Sequence, residues 1–324
     1  VPAPTVLIVA QAGRLQAEAL LFAASLAETS PSARLVVAEP QPGPLWDDDP
    51  RLDHDARAAL RRLGATILPF DARHFGRTYP QGNKIEALFA LPADTPFVFF
   101  DTDTLILGDL AAVPLDFDRP AASLRREDTW PKPDIAGHDR AAIWRALYDR
   151  FDLDIDGSLD TAHAPDDWRR YLYFNAGFFH FRCPHVFGQR FLHIAQTIRD
   201  APPPELAGQS LDPWLDQVAL PLVIHGLGGG RDALEPGWLD GRTSCHWRAL
   251  PLLYARESDA VVDTVERIAN RPDLKPLLAR HAPLRKLVHE GGGARIRAMF
   301  DRTALPAQER DLRKRIRAAG LWLR

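Results

Sequence analysis

Phe97-Val98-Phe99-Phe100-Asp101-Thr102-Asp103-Thr104-Leu105 is the stretch that decides how this chain is read. Four consecutive apolar residues, three of them aromatic, predict a strand buried on both faces, and two carboxylates one residue apart follow it. Side chains at i and i+2 of extended backbone point the same way, so Asp101 and Asp103 are expected to converge at the strand's carboxyl end. Neighbouring carboxylates repel unless a proton or a cation lies between them, and hard oxygen donors suit magnesium, manganese or calcium.

The elements before this stretch place it in an α/β frame. Thr5 to Ala10 reads as a buried strand, Leu15 to Leu26 carries apolar residues at helical spacing, and Arg34 to Ala38 is a second strand. A Pro- and Asp-rich loop (Glu39 to Pro50), a helix from about Asp53 to Leu63, a strand Thr66 to Phe70 and a short helix Asn83 to Leu91 lead to Phe97. Such alternation predicts a mostly parallel sheet with helices on both faces, and ligands of such sheets bind beyond the carboxyl ends of the strands. Further on, Ala141 to Phe151 and Pro184 to Arg199 read as helices, Tyr171 to Phe181 as a bent strand or strand pair, and Gly226 to Gly241 as a glycine-rich loop. From about Pro251 the pattern is helical. The expected division is 1–250 as a catalytic α/β domain and 251–324 as a basic helical extension packed on it.

Composition narrows the partners. At 324 residues, 46% hydrophobic and 26% charged with net charge −3, the chain is an ordinary globular one, and nucleic acid is not an expected partner. Two cysteines, Cys183 and Cys245, have neither metal-finger nor redox-pair spacing, which fits a reducing, cytoplasmic setting. No signal peptide is read at the N-terminus, and no apolar run reaches the roughly 20 residues of a membrane span. Residues 251–324 carry 16 Lys+Arg against 9 Asp+Glu. The last nineteen residues place Leu312, Ile316 and Ala319 on one helical stripe, so peripheral contact with the inner face of a membrane through this basic helix is one expectation, and packing of the stripe on the protein is the other.

Three chemistries use a strand followed by Asp-x-Asp. A haloacid dehalogenase-type phosphatase uses the first Asp as nucleophile, but its pattern continues with a Thr where this chain has Leu105. A nucleotidyltransferase wants a glycine-rich phosphate loop, of which Gln11-Ala12-Gly13-Arg14-Leu15 is a faint echo. The third is a glycosyltransferase whose carboxylates hold a metal on a sugar-nucleotide diphosphate. Phe99 to Leu110 resembles the metal-binding segment of GT-A fold glycosyltransferases, in particular the retaining family that includes glycogenin and lipopolysaccharide galactosyltransferases. Asn83-Lys84-Ile85 resembles that family's Ser-Lys-Leu helix, Phe174-Asn175-Ala176-Gly177 its Phe-Asn-Ser-Gly strand, and Asp216-Gln217 its Asp-Gln motif, all in the family's order.

The resemblance implies metal-dependent transfer of a hexose from a nucleoside diphosphate sugar, UDP first, to a glycan, lipid-linked or protein acceptor, with Mn2+ or Mg2+ as cofactor. It implies Asp101, Asp103 and a late histidine, here His289, as metal ligands; Lys84, Asp101, Asn175 and Gly177 around the donor; and Asp216 and Gln217 around the anomeric carbon. Arg125 is a further candidate for phosphate, and Arg295 or Arg297 stands where the family has a late lysine. Each has a structural counterpart: Lys84 as a surface lysine, Asn175 and Gln217 as amides satisfying buried backbone, His225 and His246 as hydrogen-bonded structural histidines. Trp130 and Trp238, next to proline or glycine, are the aromatic candidates for an acceptor sugar. A phosphatase and a non-catalytic sugar-nucleotide-binding protein are the alternatives.

Overall fold

The computed structural model describes residues 4–124, 130–132 and 139–323. Six strands form one sheet in the order β3-β2-β1-β4-β7-β6: β1 (Thr5–Val9), β2 (Arg34–Pro40), β3 (Thr66–Phe70), β4 (Phe97–Phe100), β6 (Ala122–Leu124) and β7 (Phe174–Phe181). β1 pairs in parallel with β2 and β4, and β2 with β3; β7 alone of these six runs the other way, antiparallel to both β4 and β6. A second, two-stranded sheet joins β5 (Thr104–Ile106) to β8 (Ser244–His246).

The period-two rule divides the core. Val6, Ile8, Val98 and Phe100 face one side and Leu7, Val9, Phe97 and Phe99 the other, each set within its own hydrophobic cluster. On the first side lie α1 (Arg14–Thr29) and α2 (His54–Arg62), whose N-cap Asp53 accepts from Ala56 N at 2.7 Å. On the second lie α3 (Asn83–Ala87), α4 (Arg140–Arg150), α5 (Pro184–Asp200) and α6 (Leu215–Gly226). Phe99, Phe179 and Phe187 stack in series there, with centroids 4.7 and 5.0 Å apart. The sheet is thus covered on both faces, as continuous apolar strands require.

The helical C-terminal region joins the first cluster. It comprises α7 (Leu250–Arg256), α8 (Asp259–Ala269), the short turns α9 (Lys275–Leu278) and α10 (Ala282–Leu284), α11 (Gly292–Ala298) and α12 (Glu309–Ala318). Leu252, Val265, Ile296, Leu312 and Ile316 share the core that contains α1. The apolar stripe of α12 is therefore spent on the protein and is not free for a lipid surface. Among the described residues no helix is long and apolar enough to cross a membrane.

One core residue gives the fold a pH dependence. His180 on β7 is fully buried, neither ring nitrogen has a hydrogen-bond partner, and burial pushes its pKa down from 6.5 to about 4. A histidine kept neutral by folding binds fewer protons in the native than in the unfolded state. Its contribution is intact above pH 6.5 and is lost as pH falls toward 4, by about 3 kcal/mol. Buried Glu18, raised to about 8 by burial and by Asp103, slopes the opposite way, but that slope is shared by a His180→Phe variant and cancels in the comparison. Urea midpoints should therefore fall less between pH 6.5 and 4.5 in His180→Phe than in the parent; equal falls would contradict this assignment.

Candidate functional site

Asp101 and Asp103 lie where the six-stranded sheet hands over to the two-stranded one. Asp101 N donates to the Gly177 carbonyl on β7 at 2.9 Å, and the Asp103 carbonyl accepts from Trp247 N, just beyond β8, at 2.9 Å. Both backbones are therefore fixed by strands that the carboxylates themselves do not belong to. Their side chains open into a cleft of about 390 Å³ that is also lined by Arg14, Lys84, Tyr173, Asn175, Trp214, Asp216, Gln217, His246, Arg248, Glu309 and Arg313.

Asp101 continues the parity of Phe99 and turns toward α3. There Lys84 Nζ lies 2.8 Å from Asp101 Oδ1, 3.3 Å from Asp216 Oδ2 and 3.0 Å from the Ala176 carbonyl, and 5.4 Å above the Phe99 ring. An ammonium has three N–H donors, and these three oxygens take them up. Burial alone would lower the Lys84 pKa, but Asp101 and Asp216 outweigh it and raise it. Lys84 is a buried counter-ion for two carboxylates, not a surface lysine and not a group with donors to spare for phosphate.

Asp216 opens α6, where a carboxylate in the first turn meets the positive end of the helix. It is 2% exposed; its Oδ1 accepts from Tyr79 Oη and from Gln217 N, both at 2.9 Å. Burial raises its pKa despite Lys84. The loop before Tyr79 is fixed by Glu86, whose carboxylate accepts the N–H groups of Arg73, His74 and Phe75. Gln217, one residue on, is half-buried in the cleft wall, with its Oε1 accepting from Tyr173 Oη at 3.3 Å.

Asp103 turns to β8. His246 Nε2 lies 3.1 Å from Asp103 Oδ1, and the ligand atoms of Asp101, Asp103 and His246 all fall within 4.8 Å of one another. Burial opposes ionisation of Asp103, but His246 and Arg14 overcome it and hold its pKa at about 2. His246 Nδ1 is buried with no hydrogen-bond partner. Two carboxylates and an imidazole with an unused nitrogen fit manganese or magnesium.

The histidine expected here, His289, is not brought to this cluster. Its Nε2 meets the Ala269 carbonyl at 3.1 Å, between α8 and α11, and it does not line the cleft. The imidazole that does stand beside the carboxylates belongs to His246, which the sequence had suggested was structural. Gly177 is explained by the same contact: a Cβ there would overlap His246 Nδ1 and approach Asn175 Oδ1 to 2.8 Å. Gly177→Ala should therefore push His246 aside and weaken Mn2+ binding by about 10- to 100-fold, as disturbed metal surroundings commonly do. Titration followed by electron paramagnetic resonance reads this directly, and unchanged affinity would contradict the contact.

Other expectations are corrected by packing. Trp130 is fully buried, T-shaped against Trp144, and Trp238 lies under the Arg242 guanidinium outside the cleft, so neither offers a face to an acceptor. Trp214, between Pro213 and α6, is the tryptophan that lines it. Arg297 is engaged by the Tyr254 and Glu257 carbonyls and Asp259, and neither it nor Arg295 reaches the cleft. Asn175 does line it, with Oδ1 accepting from Gly177 N at 2.9 Å. Arg125 lies outside the described residues.

The model of the Rhodobacterales glycosyltransferase domain matches residues 6–228. The chain belongs to that family. As a Rhodobacterales glycosyltransferase domain it is a GT-A fold domain, and the match includes Lys84, Asp101, Asp103, Asn175, Asp216 and Gln217 but ends before His246. No curated protein matches the chain significantly. Among solved structures the bifunctional glycosyltransferase WbbM is similar at 16% identity (TM-score 0.46, 86% of this chain and 52% of that one). The galactosyltransferase LgtC, in complex with donor and acceptor sugar analogues, is similar at 15% (TM-score 0.41, 70% and 72%), and GlyE of Streptococcus pneumoniae TIGR4 at 14% (TM-score 0.38, 70% and 45%). The chain thus spans about half the length of WbbM.

Proposed function

We propose that this domain transfers a hexose from a nucleoside diphosphate sugar, UDP being the first candidate, to an acceptor hydroxyl with retention at the anomeric carbon. The observation that carries this reading is the Asp101, Asp103 and His246 cluster inside the cleft of a glycosyltransferase-family domain. These three residues would hold Mn2+ or Mg2+. A divalent cation so held supplies Lewis-acid neutralisation of the departing diphosphate.

The chain's own residues do the rest. Lys84 pairs with Asp101 and holds it aimed at the cluster, and Gly177 leaves room for His246. Asn175, Tyr173 and Gln217 offer amide and hydroxyl groups to sugar hydroxyls on the cleft wall. Retention is favoured because an inverting enzyme needs a base facing the acceptor. Asp216 is locked between Lys84 and Tyr79, and the Gln217 carboxamide is not a base. The family match covers the Asp pair and leaves the phosphatase alternative without support.

The test is incubation of the chain with UDP- and GDP-hexoses and Mn2+, measuring binding and slow release of the nucleoside diphosphate. Binding and hydrolysis of a UDP-hexose is the expected result. Failure of every nucleotide sugar to bind would overturn the proposal, whereas binding with no turnover under any acceptor supply would favour a binding protein.

A further inference from the structure

Part of the positive charge of the cleft wall comes from chain outside the family match. Arg248 stands two residues beyond His246, and Arg313 lies on α12; both line the cleft with Asp101 and Asp103. Between them lies Glu309, whose side chain is 9% exposed. Its Oε2 is 2.6 Å from Arg256 Nη1 and 3.6 Å from Arg248 Nη1, and its Oε1 accepts from Arg313 Nε at 2.7 Å. One carboxylate is shared by three guanidinium groups. Glu257 also takes Arg256, at 3.0 Å, so the surplus of positive charge falls on Arg248 and Arg313, the two that face the cleft.

Arg248 shows two further signs of a ligand-binding role. Its Nε is buried without a hydrogen-bond partner, and its backbone has φ 60°, a conformation that side-chain-bearing residues seldom adopt. Strained backbone beside a cleft and a buried polar donor left unpaired are both recurrent at ligand-binding sites.

We propose that Arg248 and Arg313 form an anion clamp for the diphosphate of the donor, and that Glu309 is the positioning residue that sets both guanidinium groups, so that α12 completes the donor site. This rests on the glycosyl-transfer reading above. Two guanidinium forks match two bridged phosphates in a way that a single ammonium does not. A nucleoside monophosphate spans only part of the clamp, so these residues select diphosphates over monophosphates.

Calorimetric titration of the full chain with UDP, GDP, UMP and GMP, in Mn2+, tests this. Arg248→Gly keeps the left-handed backbone accessible while removing the guanidinium, and Arg313→Gln removes the other. Each should weaken whichever diphosphate binds by about tenfold, a typical loss for a charge-assisted contact, and leave the matching monophosphate within about twofold. Glu309→Gln should lower the same ratio and Glu309→Asp restore part of it. Mn2+ affinity without nucleotide, read by electron paramagnetic resonance, should stay at the parent value.

A diphosphate-to-monophosphate ratio unchanged in both arginine variants would overturn the clamp while leaving glycosyl transfer standing. If the parent chain binds neither diphosphate, the glycosyl-transfer reading falls and the clamp with it. Should Glu309→Gln lower the melting temperature, the two arginine variants decide the matter by themselves.

Discussion

Asp103→Ala is expected to reduce sugar transfer by about a thousandfold or more while leaving the fold intact. The loss follows from charge. Asp103 is the carboxylate shared between the cluster and His246, held ionised at about 2 by His246 and Arg14 against the cost of burial. Without it only Asp101 and His246 would remain to hold the cation, and as the cation is lost so is the neutralisation of a leaving diphosphate that it would supply, worth about 4 kcal/mol or more. The fold should survive because the structural bond at this position, Trp247 N to the Asp103 carbonyl, uses backbone and not side chain. Removing the carboxylate also relieves Glu18, whose pKa Asp103 helps to raise. Asp103→Asn, which preserves shape and removes charge, should be nearly as inactive. Donor turnover with Mn2+ checks both, and retention of a tenth of the parent rate by either would contradict the role assigned to Asp103.

Lys84→Met should have the largest effect on stability, a loss of about 3–5 kcal/mol at pH 7, because it leaves two carboxylates facing each other with no counter-charge. Asp216 is nearly wholly buried, and its pKa already lies above the ordinary carboxylate range. That loss is a large share of the roughly 5–15 kcal/mol by which domains are stable. The sign with pH follows. In the variant the Asp216 carboxylate is pushed to still higher pKa, so the destabilisation is greatest above that raised value, shrinks as pH falls from it toward about 4, and changes little below, where the unfolded carboxylate is protonated too. Adding Asp216→Asn should recover part of the loss, since the uncompensated charge is removed with it. Urea denaturation of the single and double variants measures this; a single variant within 1 kcal/mol of the parent would show that Lys84 is not the counter-ion described.

How much of this was legible beforehand differs from residue to residue. The order of strands and helices through Phe100 followed from period-two and period-3.6 patterns, and the convergence of Asp101 and Asp103 from strand parity. Lys84 could be singled out by its motif but not given its role, because pairing with Asp101 and Asp216 depends on α3 and α6 lying on the same face of the sheet near the end of β4. His246 was missed for a topological reason. β5 and β8 are three residues each, too short to show periodicity, and their pairing joins positions about 140 residues apart. A sign was present: Ser244-Cys245-His246-Trp247 alternates polar and apolar residues as a short strand would. His289 attracted attention through the glycines after it, yet those glycines serve local packing, as a Cβ at Gly293 would strike the Tyr254 ring. Glu309 and Arg313 belong to a helix whose sequence announces only a basic, amphipathic surface. Its docking beside the carboxylates was not encoded locally.

On the proposed function, Asp101, Asp103 and His246 together seat one cation that couples to the donor diphosphate. The measurement that tests it most directly is titration of the chain with Mn2+ by electron paramagnetic resonance, with and without UDP, alongside His246→Ala. A single site is expected, tightened by UDP and weakened about 10-fold or more in the variant. Mn2+ binding that UDP does not affect, or that survives His246→Ala unchanged, would contradict it.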